Sequence, residues 1–312
     1  MYKIEIWKDN TTKIIETIED WCSGDKISKK LNLSRTSVWK IISKLKSMGY
    51  VIEARKGKGY KLISKPEISI YEIASILKKN NINLVREIYY FKEIDSTNEF
   101  AKKIGKANAL IFAETQTAGK GRLGRRWFSD YGGLYFSITL KPNLSIENIP
   151  KITLTSGLAV CEALNELKLN ARIKWPNDVL VDGKKVCGIL CEIVGEINAL
   201  LTIVGIGINV KNRIPKELED KAVSISQIKE TKLSDVFEKT IKKFDFYYNR
   251  LLEGEWDRIK KRWIEKSDTI GKKVLIKIGG KEYSGKALSI DEDGGLILDS
   301  GTKIFSGECF YN

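Results

Sequence analysis

The chain is 312 residues long and contains no histidine. That absence removes Ser-His-Asp and Cys-His nucleophile schemes, and it removes histidine-ligated metal sites. Any chemistry must run on lysine, arginine, carboxylates, hydroxyls and backbone amides. Cysteine is sparse, with Cys22, Cys161, Cys187, Cys191 and Cys309 odd in number and scattered. Cys187 and Cys191 fall on the same side of an apolar, strand-like run. With no second pair and no histidine, a zinc site is not expected, and buried reduced thiols are. No apolar run approaches the ~20 residues of a membrane span, and the opening Met1-Tyr2-Lys3-Ile4-Glu5 is no signal peptide. A cytoplasmic protein without membrane attachment is expected.

What is present begins with 42% hydrophobic residues, ample for real cores at a length that favours two or three domains. The formal net charge is +14 and it is uneven. Residues 1–65 hold 15 Lys and Arg against 7 Asp and Glu. A concentrated basic segment points to a polyanion, nucleic acid foremost.

The same segment has a readable order. Thr11 to Cys22 has helical apolar spacing at Ile14, Ile15 and Ile18, and Gly24 is expected to break it. Asp25 would cap a short second helix, and Asn32-Leu33 would make a tight turn. Ser34 would cap a third helix whose inward stripe is Val38, Ile41, Ile42, Leu45 and Met48. Two short strands around a basic glycine turn follow, to Ile63. This is the order of a winged helix-turn-helix. Arg35, Thr36, Ser37 and Lys40 would face a major groove, and Lys56 and Lys58 on the wing would meet phosphates. A protein-binding helical module with a solvated lysine face is the alternative. From Pro66 to about Asn83, Ser69 and the spacing of Ile70, Ile73, Ile76 and Leu77 predict a connector helix rather than a floppy linker.

The central stretch is organised around Gly119-Lys120-Gly121-Arg122-Leu123-Gly124-Arg125-Arg126-Trp127. An apolar strand leads in from Ala109 to Ala113, and another leads out from Leu134 to Leu140. Glycines let a backbone approach a ligand closely, and the four cations suit phosphate or carboxylate. The spacing Gly119-x-Gly121-x-x-Gly124 formally fits a dinucleotide fingerprint. That fingerprint needs a helix directly behind it, and here Arg125-Arg126-Trp127-Phe128 runs into a strand. A Walker A loop is excluded because no Gly-Lys-Ser or Gly-Lys-Thr closes the run. A basic surface hairpin remains the plain alternative.

Three further stretches bear on that loop. A predicted strand, Tyr89 to Ile94, precedes Asp95-Ser96-Thr97-Asn98, where Ser96 and Thr97 either cap a helix or hydrogen-bond a ligand. Lys151 to Leu167 is a helix, and Ala171 to Val181 reads as strand, kink, strand. Lys174 sits in that apolar strand ahead of Trp175-Pro176, where an unpaired ammonium would be costly. Its partner is either a salt bridge to Asp178 or Glu192, or an anionic ligand shared with the glycine-rich loop. A strand from Ala199 ends in Gly205-Ile206-Gly207-Ile208-Asn209, a second close backbone approach with an amide edge for a purine. Ser234 to about Arg262 is helical with aromatics that serve packing. From Ile270, short strands alternate with glycine turns, which indicates a small β-barrel, SH3-like.

On these residues the chain resembles the biotin protein ligase family. Residues 119–127 are similar to its glycine-arginine-glycine-arginine-x-glycine-arginine signature, and Lys174-Trp175-Pro176-Asn177-Asp178 matches its lysine-tryptophan-proline-asparagine-aspartate motif. Asp95-Ser96-Thr97-Asn98 and Gly205-Ile206-Gly207-Ile208-Asn209 match its first and last ligand segments, and the order of all four is right. The resemblance covers nearly the whole chain, because the bifunctional members, both ligase and biotin operon repressor, carry an N-terminal winged helix-turn-helix and a small C-terminal β-domain. It implies an α+β multidomain chain. Residues 1–65 would be the winged helix-turn-helix and 66–84 the connector. Residues 85–267 would be a mixed-sheet α/β ligase domain, class II aminoacyl-tRNA synthetase-like, and 268–312 an SH3-like β-barrel.

The resemblance also implies roles. Ser96, Thr97, Asn98 and Gln116 would hold biotin, with Lys120, Gly121 and Arg122 closing over its carboxylate. Lys174 would meet that carboxylate and the α-phosphate, and with Arg122 and Lys120 would be catalytic. Arg122, Arg125, Trp127, Lys174 and Asn209 would bind ATP, with Trp127 stacking on adenine. Lys120 stands where the family usually has arginine, which keeps the charge and loses the bidentate fork. Biotin and ATP would be substrates, with Mg2+ on the phosphates. Partners would be a biotin carboxyl carrier protein, operator DNA, and a second copy of the chain in a homodimer formed when biotinyl-5′-AMP is bound. The loop is expected to be loose without ligand. A lipoate-type acyl ligase, and a regulator that senses a metabolite without catalysis, remain as alternatives.

Overall fold

The structure is a computed structural model that describes all residues except 143, 146–147, 196–199 and 312. The chain divides into two compact units, Tyr2–Tyr90 and, with Met1, Phe91–Asn312.

The first unit opens on a strand the sequence did not announce, β1 (Tyr2–Glu5), too short for its alternation to stand out. Helices α1 (Thr11–Thr17), α2 (Gly24–Leu31) and α3 (Arg35–Ser47) follow. The first helix stops well before Cys22. Ile18 is its C-cap, and Cys22 instead bridges Tyr60 as a strand residue. Ser23, not Asp25, caps α2, its side chain accepting from the Lys26 N–H at 3.2 Å. Gly24 is therefore a first-turn residue, and Asp25 adds a carboxylate there, where the helix dipole favours it. Asn32 adopts φ 52° to turn the chain, and Ser34 caps α3 by accepting from the Ser37 N–H at 3.0 Å. The wing is the antiparallel pair β2 (Val51–Arg55) and β3 (Gly59–Ser64).

Helix α4 (Ile70–Lys79), capped by Ser69, buries Ile70, Tyr71, Ile73, Ala74 and Leu77. It is part of this unit's core rather than a bare connector. Tyr50 joins Ser69 Oγ at 2.8 Å and donates to Glu72 Oε1 at 3.2 Å, while Lys78 donates to Asp9 O and Thr12 Oγ1. Strand β4 (Glu87–Ile94) carries the chain onward, and its first residues pair with β1, Tyr2 opposite Tyr90.

The second unit adds α5 (Thr97–Ile104), β5 (Ala109–Gln116), β6 (Leu134–Leu140), α6 (Ile149–Glu166), β7 (Ala171–Lys174), β8 (Asp178–Val181), β9 (Lys184–Val194) and β10 (Leu201–Ile208). Residue 199, where the sequence started this last strand, lies outside the described residues. The strand order from β4 is β4-β5-β6-β10-β9-β8-β7, with β10 antiparallel to both β6 and β9. Every residue of β6 is buried, as befits a central strand. Two helices, α7 (Leu233–Leu252) and α8 (Trp256–Lys266), replace the single long one expected. Gly254, at φ 80°, turns the chain between them. The aromatics pack as expected: Phe237 meets Phe112 and Phe136 edge-on at 6.4 and 5.4 Å, while Phe246 remains exposed. Strands β11 (Lys273–Ile278), β12 (Lys281–Ile290), β13 (Leu296–Leu298), β14 (Lys303–Ile304) and β15 (Glu308–Tyr311) form an antiparallel sheet in the order β14-β13-β12-β11-β15. Among the described residues no helix is long and apolar enough to cross a membrane.

Glu162 ties the three long helices together. It lies buried on α6, accepts from Tyr247 on α7 at 2.7 Å, and receives the Arg262 guanidinium from α8. Burial opposes its ionisation, but the hydrogen bonds from Tyr247 and Arg262 win and hold its carboxyl below the usual range. A lowered folded pKa stabilises above the unfolded value, and that contribution is lost as pH falls through the folded one. Glu162→Gln should therefore lower stability by about 1–3 kcal/mol at neutral pH. The gap between variant and wild type should narrow as pH falls below the ordinary glutamate range. Denaturant titrations across that range check it, and a gap constant with pH would refute it.

Candidate active site

The glycine-rich segment joins β5 to β6 as a hydrogen-bonded hairpin. Its base is tied to the end of β4, with Thr117 N–H donating to Ile94 O and Ala118 N–H to Asp95 O, each at 2.9 Å. Within it, Trp127 N–H donates to Gly119 O at 2.8 Å and Gly121 N–H to Arg125 O at 2.7 Å. A single 3-10 turn covers Arg122–Gly124, with Leu123 at φ 56° and exposed. The expectation of a loose loop rests on its clustered like charges and glycines. The structure supplies partners. Lys120 donates to Glu99 Oε1 at 2.8 Å, Arg125 pairs with Glu308 of β15, and Arg126 lies over the Phe128 ring. Hydrogen bonds from Lys120 and Lys102 hold the Glu99 carboxyl below its ordinary range.

Arg122 is different. It is half-buried, donates to Asn177 Oδ1 at 3.2 Å and Gly307 O at 3.4 Å, and is pushed down in pKa by burial. Neither contact is to a carboxylate. Lys174, at the end of β7, is the second such cation. The two acids proposed as its partners are engaged elsewhere, Asp178 with Lys185 at 2.7 Å and Glu192 with Lys102 at 2.8 Å. Its ammonium lies 4.7 Å from the Tyr311 ring centre instead. Among the described residues neither Lys174 nor Arg122 has an ion pair. Trp175 behind Lys174 is buried, its backbone N–H donating to Thr269 Oγ1 at 2.9 Å.

The floor of the site is the sheet itself. Gly188 of β9 and Gly207 of β10 are directly opposed, and the Trp127 indole lies against both. A Cβ on Gly207 would fall 2.4 Å from Trp127 Nε1, and one on Gly188 3.0 Å from Cζ3. A Cβ on Gly205 would strike Asn98 Oδ1 at 2.3 Å. The close approaches expected at Gly205 and Gly207 are therefore made by protein side chains, Asn98 and Trp127. Among the described residues the Trp127 indole Nε1–H, unlike its backbone N–H, has no hydrogen-bond partner, and the Lys185 ammonium lies 5.2 Å from the ring centre.

At the other end, Ser96 caps α5, accepting from Glu99 N–H at 3.4 Å. Thr97 donates to Gln116 Oε1 through its N–H at 2.9 Å and its hydroxyl at 3.2 Å, and Gln116 Nε2 donates to Ser129 Oγ at 2.9 Å. The Asn98 amide is committed within the protein, donating to Glu192 and Leu190 O and bonded to the buried Ser137 hydroxyl at 2.6 Å. Asn209 is buried at the end of β10 and accepts from Asn212 Nδ2 at 3.0 Å.

Residues from both ends border one cavity of about 760 Å³. Its walls include every ligand-site residue named from the sequence: Ser96, Thr97, Asn98, Gln116, Lys120, Gly121, Arg122, Arg125, Trp127, Lys174 and Asn209. Residues the sequence reading did not assign also line it, among them Asn177, Lys185, Glu308 and Tyr311. Asn177 was findable, since it stands inside a recognised motif. Tyr311 carried no signal.

The candidate DNA-binding residues lie together in the first unit. Arg35, Thr36 and Lys40 are exposed on α3, with Ser37 partly so, and Lys56 and Lys58 are exposed at the wing turn. Arg35 is paired with Asp25 of α2.

A long central sheet with a cationic glycine hairpin, joined to a helix-turn-helix unit and a terminal β-sheet, defines a ligase of the biotin and lipoate type. Residues 90–209 match the Biotin/lipoate A/B protein ligase family, residues 12–61 an HTH domain, and residues 269–311 the Biotin protein ligase C terminal domain. The chain is 36% identical to the Bifunctional ligase/repressor BirA of Bacillus subtilis over 93% of each chain. It is 30% identical to the protein of the same description from Escherichia coli over 94% of each. Among solved structures, the biotin protein ligase from Aquifex aeolicus in complex with biotin and ATP superposes with a TM-score of 0.65 at 35% identity, covering 72% of this chain and 98% of that one. The chain belongs to the family of bifunctional biotin protein ligases and biotin operon repressors.

Gly207→Ala places a methyl group against an indole that has the sheet behind it. It should cost about 1–3 kcal/mol in stability, as overpacking does, and shift the Trp127 fluorescence. Denaturant unfolding and emission spectra check this; an unchanged spectrum at unchanged stability would show that the indole does not lie on Gly207.

Proposed function

We propose that this chain makes biotinyl-5′-AMP from biotin and ATP, then passes the biotinyl group to a lysine of a biotin carboxyl carrier protein. The observation that carries the reading is the pair Arg122 and Lys174, two cations bordering one cavity without a carboxylate partner among the described residues. Burying an unpaired cation is unfavourable unless an anion arrives. In the first step a biotin carboxylate oxygen forms a bond to the α-phosphorus and the bond to the pyrophosphate oxygen breaks, so pyrophosphate leaves. Both reactants are anions. Arg122 and Lys174 offset their repulsion and bear on the charge that grows on the phosphorus oxygens. The nucleophile is already ionised at neutral pH and needs no base, which is consistent with a chain that lacks histidine. In the second step an uncharged lysine amine attacks the anhydride carbonyl, AMP leaves, and the amine proton passes to solvent.

The geometry supports the remaining roles. Thr97 and Gln116, fixed to one another, would meet the polar ring of biotin, with Ser96 beside them. The Asn98 amide has its partners within the protein, so it would hold the pocket's shape beneath biotin. Lys120, Gly121 and Arg122 would close over the carboxylate, and Lys120 would leave Glu99 to do so. Arg125, Trp127 and Asn209 would serve the nucleotide. No group of three or more Cys, Asp or Glu residues among the described residues could cage a metal ion. Mg2+ would enter on the ATP phosphates, and no step here depends on a protein ligand to it.

The first unit would bind operator DNA through α3 and the wing, and repress when biotinyl-5′-AMP favours a homodimer in the cytoplasm. Its support is the family membership and the exposed row at 35, 36, 40, 56 and 58.

With labelled biotin, ATP, Mg2+ and an apo carrier domain, the wild type should label the carrier. Lys174→Ala should be slower by about 10²–10³-fold, as for the loss of one transition-state donor. Equal rates would remove Lys174 from the chemistry, and labelling by lipoate in place of biotin would favour the lipoate-type reading. In gel shifts, operator DNA should be bound more tightly with biotin and ATP than without; unchanged affinity would count against repression.

A further inference from the structure

Lys174 is held by an aromatic ring rather than by an acid, and the ring comes from the far end of the chain. Tyr311 is on β15, paired with Val274 of β11. The Tyr311 hydroxyl lies 3.1 Å from Thr269 Oγ1, and that oxygen accepts the N–H of Trp175, the residue after Lys174. One hydroxyl thus ties the ring to the backbone next to the lysine. Lys272 lies 4.2 Å from the same ring centre, but its charge is met by Asp268 at 2.8 Å. Burial raises the Tyr311 phenol well above its ordinary pKa, so it remains neutral.

A carboxylate in this place would hold the ammonium and cancel it. A ring attracts a cation through its quadrupole and leaves the full charge for a ligand. We infer that Tyr311 is a positioning residue for adenylate formation, orienting the Lys174 ammonium toward the cavity while leaving its charge uncancelled. This rests on the reading of Lys174 as the cation that meets the biotin carboxylate and the α-phosphate. It assigns the last strand a part in the first half-reaction.

The test uses the full chain and follows ATP–pyrophosphate exchange with biotin. Tyr311→Leu should lower kcat about tenfold, with KM for biotin and ATP moving much less, whereas Tyr311→Phe should keep kcat within about threefold because the ring remains. Combined with Lys174→Gln, Tyr311→Leu should add no further loss, since the group it orients is gone. Should Tyr311→Leu fold poorly, a fluorinated phenylalanine at 311 keeps the shape and weakens the quadrupole, and it should fall below Tyr311→Phe in kcat. The inference is overturned if Tyr311→Leu retains the wild-type kcat, if its loss multiplies with that of Lys174→Gln, or if the fluorinated ring matches phenylalanine. A wild-type kcat in Lys174→Gln alone would instead overturn the role of Lys174 on which it rests.

Discussion

Positive charge crowded around one cleft repels itself, and where the carboxylates stand decides which cations await a ligand. Glu99 takes Lys120, Glu308 takes Arg125 and Asp178 takes Lys185. Arg122 and Lys174 are left facing the cavity with neutral contacts. The outer cations are thus held in exchangeable pairs, each worth roughly 1 kcal/mol or less where solvent reaches it. The inner pair, less screened by water, is where an arriving carboxylate and phosphate gain most. Under the proposed roles of Lys120 and Arg125, loop order and ligand affinity would become one problem, since a ligand anion would compete with Glu99 and Glu308 for the same side chains.

The sheet supplies the other half of the design. Opposed glycines at 188 and 207 leave a bare patch on which the Trp127 indole rests. A polar line from Asn98 through Ser137 and Thr97 to the partly exposed Gln116 is built from hydroxyls and amides that satisfy one another. Such a network is rigid because every broken bond would leave a buried polar atom unpaired. Under the proposed function this gives a firm end for the polar ring of biotin and a charged, adjustable end for the anions.

Much of this was legible before any coordinates. The glycine hairpin, Lys174 and Asn209 stand in motifs whose residue types declare their chemistry, and the caps Ser34, Ser69 and Ser96 were readable from local patterns. What escaped reading has a common cause. Glu99 with Lys120, Arg125 with Glu308, and Lys174 with Tyr311 join residues distant in sequence, and nothing local marks them. The Gly205 and Gly207 positions were correctly read as close approaches, but a sequence cannot say whether a ligand or a side chain approaches. Local errors came from helix ends: Ser23 outcompeted Asp25 as a cap, and Gly254 divided a helix whose aromatic spacing ran on across it.

The same chain carries a helix-turn-helix domain, and under the proposed function the small molecule retained in the cleft would bear on both activities. The most direct measurement is the identity of that molecule. Protein incubated with biotin, ATP and Mg2+, then separated from free ligand, should carry biotinyl-5′-AMP by mass spectrometry, with one pyrophosphate released for each adenylate retained. Recovery of unreacted biotin and ATP without pyrophosphate would contradict the account.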